Sequence, residues 1–281
     1  MTSTVCMPLC RRRLLCWLGA PALSGLGACA ALPSAPAALS PDIAAALAPT
    51  GRLRAAINLG NPILAYRPPG GGQVTGVSVD LAHALAQRLG VGIELLVFDA
   101  AAQSVAAVSK GQADIGFFAI DPQRAGGGIS FSAAYVQIEG VYLVRQDSAL
   151  THNSQVDVPG NRIMVGRGSA YDLYLSRNLK AATLLRTPTS PTVVDSLLAQ
   201  GAEVAAGVRQ QLLADATRLG SLRLLPGRFM VIDQAMGVQA GRGAAAEAAL
   251  RDFVEQAKRS GRVAQSLARH GIAGAAVAPP A

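Results

Sequence analysis

The sequence predicts an α/β fold built as two lobes joined by a two-segment hinge. Residues 53–120 and 162–218 each alternate short apolar strands with helices of about ten to twelve residues, which is typical of βαβ units in a mostly parallel sheet. Extended apolar runs at 136–144 and 229–238 follow these stretches. The chain has 281 residues, 51% of them hydrophobic, so it is long enough to bury a sizeable core.

The first stretch is predicted to form one lobe. Its strands are expected at 53–58, 91–98 and 113–120, and its helices at 78–89 and 101–110. Ser78 is the predicted N-cap of the first helix, since its hydroxyl can accept from a free backbone amide. Gly90 and Gly111 are predicted to end the two helices.

The second stretch is predicted to form the other lobe. Its strands are expected at 162–166, 183–186 and 203–206, and its helices at 170–179, after Thr189 or Ser190, and at 208–218. Two final helices, 244–259 and 262–270, have no strand of their own to cover, so we expect them to return to the first lobe. The chain would then cross between the lobes near Val144 and near Met236, and two crossings form a hinge about which lobes close on a ligand.

These signals divide the whole chain into six segments. They are a signal peptide (1–28), an Ala/Pro-rich tether (29–50), lobe 1 (51–143), lobe 2 (144–236), a return to lobe 1 (237–275) and a tail (276–281).

The N-terminal segment has the pattern of an export signal. Arg11–Arg13 end a basic region, and the apolar run at 14–28 is too short to span a bilayer. It ends in Leu-Gly-Ala-Cys, which resembles a bacterial lipoprotein signal and implies that Cys29 is a lipid anchor to a bacterial membrane, on the periplasmic side. A plain signal peptide and a twin-arginine export signal are the alternatives.

Composition argues against several classes of site. All four cysteines lie within the first 29 residues, so we expect no disulfide framework in the folded body. The net charge of +8 is dispersed rather than gathered in a basic stripe with aromatics, so no nucleic-acid partner is predicted. His83, His152 and His270 are isolated, and the triple glycines at 70–72 and 126–128 lack the Lys-Ser/Thr of a phosphate loop. No metal and no other cofactor is predicted.

A strand followed by an arginine-bearing turn is the most informative local pattern. Residues 113–120 form an apolar strand, and Asp121-Pro-Gln-Arg124 follows it. Ligands in open α/β sheets bind beyond the carboxyl ends of the strands. The planar guanidinium donates two parallel hydrogen bonds to a carboxylate, so Arg124 is a candidate carboxylate-binding residue. The alternative is that it only caps the turn or pairs with Asp121.

Five short motifs occur in the order and spacing of a known family. They are Gly-Val-Ser-Val-Asp-Leu-Ala at 76–82, Gly-Gln-Ala-Asp-Ile-Gly at 111–116, Asp-Pro-Gln-Arg at 121–124, Phe-Ser-Ala-Ala-Tyr at 131–135 and Gly-Arg-Gly-Ser at 166–169. Over about residues 51–271 the chain thereby resembles the family 3 extracellular solute-binding proteins, the amino-acid receptors of ABC importers. The resemblance implies a type II periplasmic binding-protein fold and a receptor that closes on an amino acid or related small carboxylate. Its implied partner is the importer's permease; we expect a monomer.

The resemblance also implies which residues contact the ligand. Arg124 would clamp the α-carboxylate, together with the turn formed by Gly168, Ser169 and Ala170 at a helix N-terminus. The remaining implied ligand-binding residues follow the first strand or end the third; they are Asn58, Asn61, Phe117 and Ala119.

One departure from the family pattern concerns the ammonium group of an amino acid. Members hold that group with an acid a few residues after the strand at 203–206, whereas this chain has Gly207-Val208-Arg209-Gln210. Arg209 is therefore a second candidate to face the ligand, although it is more often a solvated helix residue. Two cleft arginines would suit a ligand with more negative charge than an ordinary amino acid.

Two rival functions remain open on the sequence. Family 3 bodies include cyclohexadienyl dehydratases, whose chemistry needs an acid or base in the cleft. The candidate acids here are Asp80 and Asp121. A module that senses a ligand without transporting it is the other alternative.

Overall fold

The computed structural model describes residues 38–281, which include both predicted lobes. The predicted signal peptide, Cys29 and the first part of the tether lie outside the described residues. The helices are α1 (Pro41–Leu47), α2 (Val77–Leu89), α3 (Ala101–Ser109), α4 (Pro122–Gly126), α5 (Ala170–Asn178), α6 (Val193–Gln200), α7 (Arg209–Leu219), α8 (Ala244–Arg259) and α9 (Arg262–Arg269). The strands are β1 (Arg52–Asn58), β2 (Gly92–Phe98), β3 (Ile115–Ala119), β4 (Ile129–Arg145), β5 (Arg162–Gly166), β6 (Thr183–Thr187), β7 (Val204–Val208), β8 (Leu222–Leu224), β9 (Met230–Gln239) and β10 (Ala276–Val277).

The strands join in the order β2-β1-β3-β9-β4-β7-β5-β6, and β8 and β10 also pair with β4. β1 runs parallel to β2 and β3, and β5 runs parallel to β6 and β7. The long strands β4 and β9 run antiparallel between these two sets. Two parallel α/β sets linked by two extended segments confirm the predicted fold class.

β4 belongs to both halves of the sheet. It pairs with β9 up to Gly140, which lies opposite Met230, and with β7 from Gly140, which also lies opposite Val208. The exchange of partners therefore comes a few residues before Val144, near which the sequence predicts a crossing. The lobe boundaries themselves stay a prediction.

The start of α2 differs from the prediction. The helix begins at Val77, and its N-cap is Gly76 rather than Ser78. Gly76 has φ 129°, and a Cβ there would lie 2.4 Å from the carbonyl oxygen of Leu64, so only glycine fits. Gly90 ends the helix in the left-handed conformation, as predicted.

Both ends of the described chain are more ordered than their composition suggests. Within the predicted tether, residues 41–47 form α1, which packs on α8, and Leu47 at its end is fully buried. Within the predicted tail, β10 pairs with β4, with Val277 opposite Val136.

The final helices lie on the first half of the sheet. α8 packs against β4 and α1, and α9 packs against α2. The α8 residues that face the sheet are apolar and buried, Phe253 and Val254 among them. Burying such a face is the main source of a helix's stability in a protein.

Candidate ligand-binding site

A narrow cavity of about 40 Å³ lies where β1, β3 and β7 end. It is lined by Asn58, Gly60, Asn61, Ala101, Phe117, Phe118, Ala119, Arg124, Ser169, Ala170, Tyr171, Ser190, Val208, Ile232 and Gln234. The carboxyl ends of parallel strands are the usual place for ligands in α/β sheets. Seven of the predicted site residues meet there, namely Asn58, Asn61, Phe117, Ala119, Arg124, Ser169 and Ala170.

Arg124 is the charged group of this cavity. The turn that carries it is the short helix α4, and the residue is only 6% exposed. Its two terminal nitrogens donate to the carbonyl oxygens of Ala119, at 2.9 Å, and Gly168, at 3.0 Å. Burial lowers the pKa of Arg124 to about 10, against the opposing effect of nearby Asp121. The guanidinium is therefore a cation at neutral pH, fixed by two neutral carbonyls.

Asp121 does not neutralise Arg124 by a direct ion pair. Its carboxylate caps α4 by accepting from the amide of Gln123 at 2.8 Å. It also accepts from both terminal nitrogens of Arg177, on α5, at 2.6 and 3.2 Å. The pairing of Arg124 with Asp121 that the sequence allowed is thus replaced by a link between α4 and α5.

The turn before α5 supplies the wall opposite Arg124. Ser169 caps α5 by accepting from the amide of Asp172 at 3.1 Å. Gly168 has φ 68°, its amide donates to the Asp172 carboxylate at 2.8 Å, and a Cβ there would lie 2.8 Å from that of Ala102. Gly168 does not line the cavity; its carbonyl holds Arg124. Ala170 lines the cavity directly.

The loop after β1 brings two amides to the cavity. The Asn58 side-chain oxygen accepts from the Gly60 amide at 2.9 Å, so this group also shapes the loop. The Asn61 side-chain oxygen is buried and has no hydrogen-bond partner within residues 38–281. A buried acceptor without a donor is costly, so a ligand donor at this atom would be stabilising.

Phe117 and Phe118 both border the cavity while packing on opposite sides of β3. Phe117 meets Tyr135 edge to face, with ring centroids 6.2 Å apart, and Phe118 packs with Ala56 and Val108. Because neighbouring strand residues alternate in direction, each ring is chiefly a core residue with an edge at the cavity.

Arg209 lies outside the cavity. Its Nε donates to Glu139 at 2.5 Å, and a terminal nitrogen donates to the Gly227 carbonyl at 2.6 Å. Arg228 donates to the same carboxylate at 2.9 Å. Hydrogen bonds from Arg228 and Arg209 lower the pKa of Glu139. The residue that lines the cavity is the preceding one, Val208, so the structure does not bring Arg209 to the predicted site.

Eight lining residues were not predicted from the sequence to bind the ligand, among them Ser190, Tyr171, Ile232 and Gln234. Ser190 and Tyr171 lie next to each other, and burial raises the pKa of the Tyr171 hydroxyl to about 12, so it is neutral at pH 7. Ile232 and Gln234 lie two residues apart on β9 and therefore on one face. Gln234 is only 6% exposed, and the polar pair Asp233-Gln234 inside a largely apolar strand is the signal that could have identified it.

No helix within residues 38–281 is long and apolar enough to cross a membrane. Over the same range, no group of three or more His, Cys, Asp or Glu side chains could hold a metal ion.

Residues 53–272 match the family model of the bacterial extracellular solute-binding proteins, family 3. The chain belongs to this family. The match spans the cavity and both parallel strand sets. A search of the curated proteins finds no match.

Several solved structures share this fold. A solute receptor for L-cysteine from Neisseria gonorrhoeae is 21% identical, with a TM-score of 0.70 over 81% of this chain and 92% of that one. A binding component of an ABC transporter from Wolinella succinogenes, complexed with lysine, is 20% identical, with a TM-score of 0.67 over 78% and 95%. An ancestral amino acid-binding protein, a precursor of cyclohexadienyl dehydratase, is 20% identical, with a TM-score of 0.66 over 79% and 96%.

Proposed function

We propose that this family member is the extracytoplasmic receptor of an ABC importer and binds an amino acid or related small carboxylate. The observation that carries the proposal is Arg124, a cation 6% exposed, at the wall of a cavity and held by two carbonyl oxygens. A buried charge is stable only when it is paired. A ligand carboxylate would supply that pairing through charge-assisted hydrogen bonds.

Contacts across the cavity support binding by closure. Arg124 reaches from α4 to the Gly168 carbonyl, and Asp121 of α4 pairs with Arg177 of α5. These bonds join the wall built on β3 to the wall built on β5. Closing the walls would remove water from the ligand and strengthen its attraction to Arg124. A permease could then distinguish the loaded form by its closed shape.

Calorimetry on the purified body tests the proposal. We expect an amino or organic acid from a broad panel to bind, and Arg124→Ala to weaken that binding strongly while the protein stays folded. Arg228→Ala is a matched control, since its guanidinium is more than half exposed and outside the cavity. The proposal fails if no acid binds, or if Arg124→Ala binds the ligand as tightly as the wild type does.

The positions of the two candidate acids favour a receptor over a dehydratase. Asp80 accepts from Ser266, Arg269 and His270 on the far side of α2, and Asp121 is engaged with Arg177. Neither acid is among the lining residues of the cavity. A ligand in the cavity would therefore not contact either acid directly.

The proposed location is the periplasmic side of a bacterial membrane, with the protein anchored through Cys29. Support comes from the family's extracellular character and from the Leu-Gly-Ala-Cys sequence at 26–29. Labelling of growing cells with a radioactive fatty acid tests it. We expect Cys29→Ala to lose the label and Cys16→Ala, a matched cysteine within the apolar run, to keep it. Label retained by Cys29→Ala would contradict the anchor.

A further inference from the structure

The cavity holds one permanent cation and no acid. Of its lining residues, all within the described range, the ionisable ones are Arg124 and Tyr171, and the tyrosine is neutral at pH 7. The remaining polar groups are amides and hydroxyls, from Asn58, Asn61, Ser169, Ser190 and Gln234. The charge of the lining therefore matches one carboxylate.

Two carboxylates that flank lining residues in the sequence, those of Asp121 and Asp172, are already engaged. Asp121 accepts from Arg177 and from the Gln123 amide. Asp172 accepts from Arg186 at 2.9 Å and from the Gly168 amide at 2.8 Å. Both acids are at least 95% buried, and their arginine partners are partly exposed, so neither acid can turn to a ligand without breaking an existing ion pair.

An α-ammonium would be poorly matched in this setting. The ammonium would lie close to the Arg124 cation, because the carboxylate on the same carbon atom binds that guanidinium. Burial disfavours a charge, and a like charge nearby disfavours it further. A hydroxyl or carbonyl at the same position carries neither cost and needs only neutral hydrogen-bond partners.

Two amides can provide such partners. The Asn61 side-chain oxygen is buried without a donor, so it can accept from a ligand hydroxyl. Gln234 lies on β9, opposite Ala119 of the neighbouring strand β3. The carbonyl oxygen of Ala119 accepts a hydrogen bond from Arg124. An amide offers a donor and an acceptor, so Gln234 can serve either a hydroxyl or a carbonyl oxygen.

We propose that the ligand is a small carboxylic acid whose second polar group is a neutral hydrogen-bond donor, such as a 2-hydroxy acid, and that Asn61 and Gln234 select that group. This inference rests on the proposed function, because it refines what the receptor binds at Arg124. On this proposal, a ligand with an ammonium group is disfavoured because the described lining contains no acid to pair with it.

Matched pairs of ligands test the inference whatever the size of the side chain. The titrated probes are L-lactate against L-alanine, 2-hydroxyisocaproate against L-leucine, and phenyllactate against L-phenylalanine. In the pair that binds, the hydroxy acid is expected to bind at least tenfold more tightly. An amino acid that binds as tightly as its hydroxy partner, or more tightly, would overturn the inference but leave the receptor function intact. Failure of every acid to bind would overturn both.

Adding an acid to the lining tests the two selecting residues. Gln234→Glu and Asn61→Asp each place a carboxylate at the cavity, so each should shift the preference toward the amino acid of the pair by at least tenfold. Gln103→Glu, at an exposed position of α3, is the matched control and should leave the ratio unchanged. A ratio unaltered in folded Gln234→Glu and Asn61→Asp would contradict the assignment. Gln234→Leu and Asn61→Ala, verified by circular dichroism, should weaken hydroxy-acid binding without favouring the amino acid.

Discussion

Arg124 and Arg209 are both arginines that follow a strand of the sheet, yet their surroundings differ in one respect. Arg209 and Arg228 share the carboxylate of Glu139, at 2.5 and 2.9 Å, and their side chains are 30% and 55% exposed. Arg124 is buried, with carbonyl oxygens as its hydrogen-bond partners. What distinguishes the candidate site is a buried charge that has no ionic partner among residues 38–281.

Truncating the two arginines should separate their roles most sharply. Arg124→Ala is expected to weaken ligand binding by at least about 30-fold, since removing one member of a buried charge pair costs about 2–5 kcal/mol. Arg209→Ala is expected to change the affinity less than about threefold, as for substitutions away from a site. Isothermal titration of both variants measures this, with thermal unfolding as the check on folding. Equal losses in the two variants would remove the distinction.

The ion pair between Asp121 and Arg177 extends the comparison. Here the protein supplies both charges, and the pair links the two walls of the cavity. Asp121→Asn keeps the cap of α4 but removes the ion pair with Arg177. The affinity for the ligand should therefore fall about fivefold, which corresponds to about 1 kcal/mol. Arg177→Gln should produce the same loss, and the double variant should lose no more than either single one. Additive losses in titrations of the three variants would show that the pair does not act as a unit.

The Glu139 cluster should affect stability rather than binding. Because the pKa of Glu139 is lowered in the folded protein, its ion pairs stabilise the fold above the ordinary value of 4.5, and this contribution is lost as the pH falls through the lowered pKa. Glu139→Gln is expected to reduce the free energy of unfolding by at most about 1 kcal/mol at pH 7, since the cluster is partly exposed. Urea titrations of both proteins at a series of pH values measure the difference. A difference that grows toward acid pH would contradict the sign.

Most of the fold could be predicted from the periodicity of apolar residues in strands and helices. The βαβ alternation predicted β1, β5 and the long C-terminal helices within a residue or two, because buried apolar faces repeat at short range. It missed α1, since the Ala/Pro-rich composition of residues 38–50 concealed a helix capped by Ser40 and held by burial of Leu47. Tertiary packing decides such a segment, and local sequence does not show it.

The candidate site was predicted unevenly for the same reason. Arg124 followed from a local pattern, a strand and the turn after it. The partner of Arg209 is Glu139, 70 residues away, so the sequence could not show that its charge is already satisfied. Gln234 reaches the cavity because β9 lies beside β3, an adjacency that no local pattern reveals.

A crystal structure with the tightest-binding acid from the titration panel tests the role of Arg124 most directly. The carboxylate of the ligand should lie within about 3 Å of the Arg124 guanidinium, in a bidentate arrangement, with Glu139 still paired to Arg209. A carboxylate bound at Arg209, or anywhere without contact to Arg124, would contradict the assignment of the site.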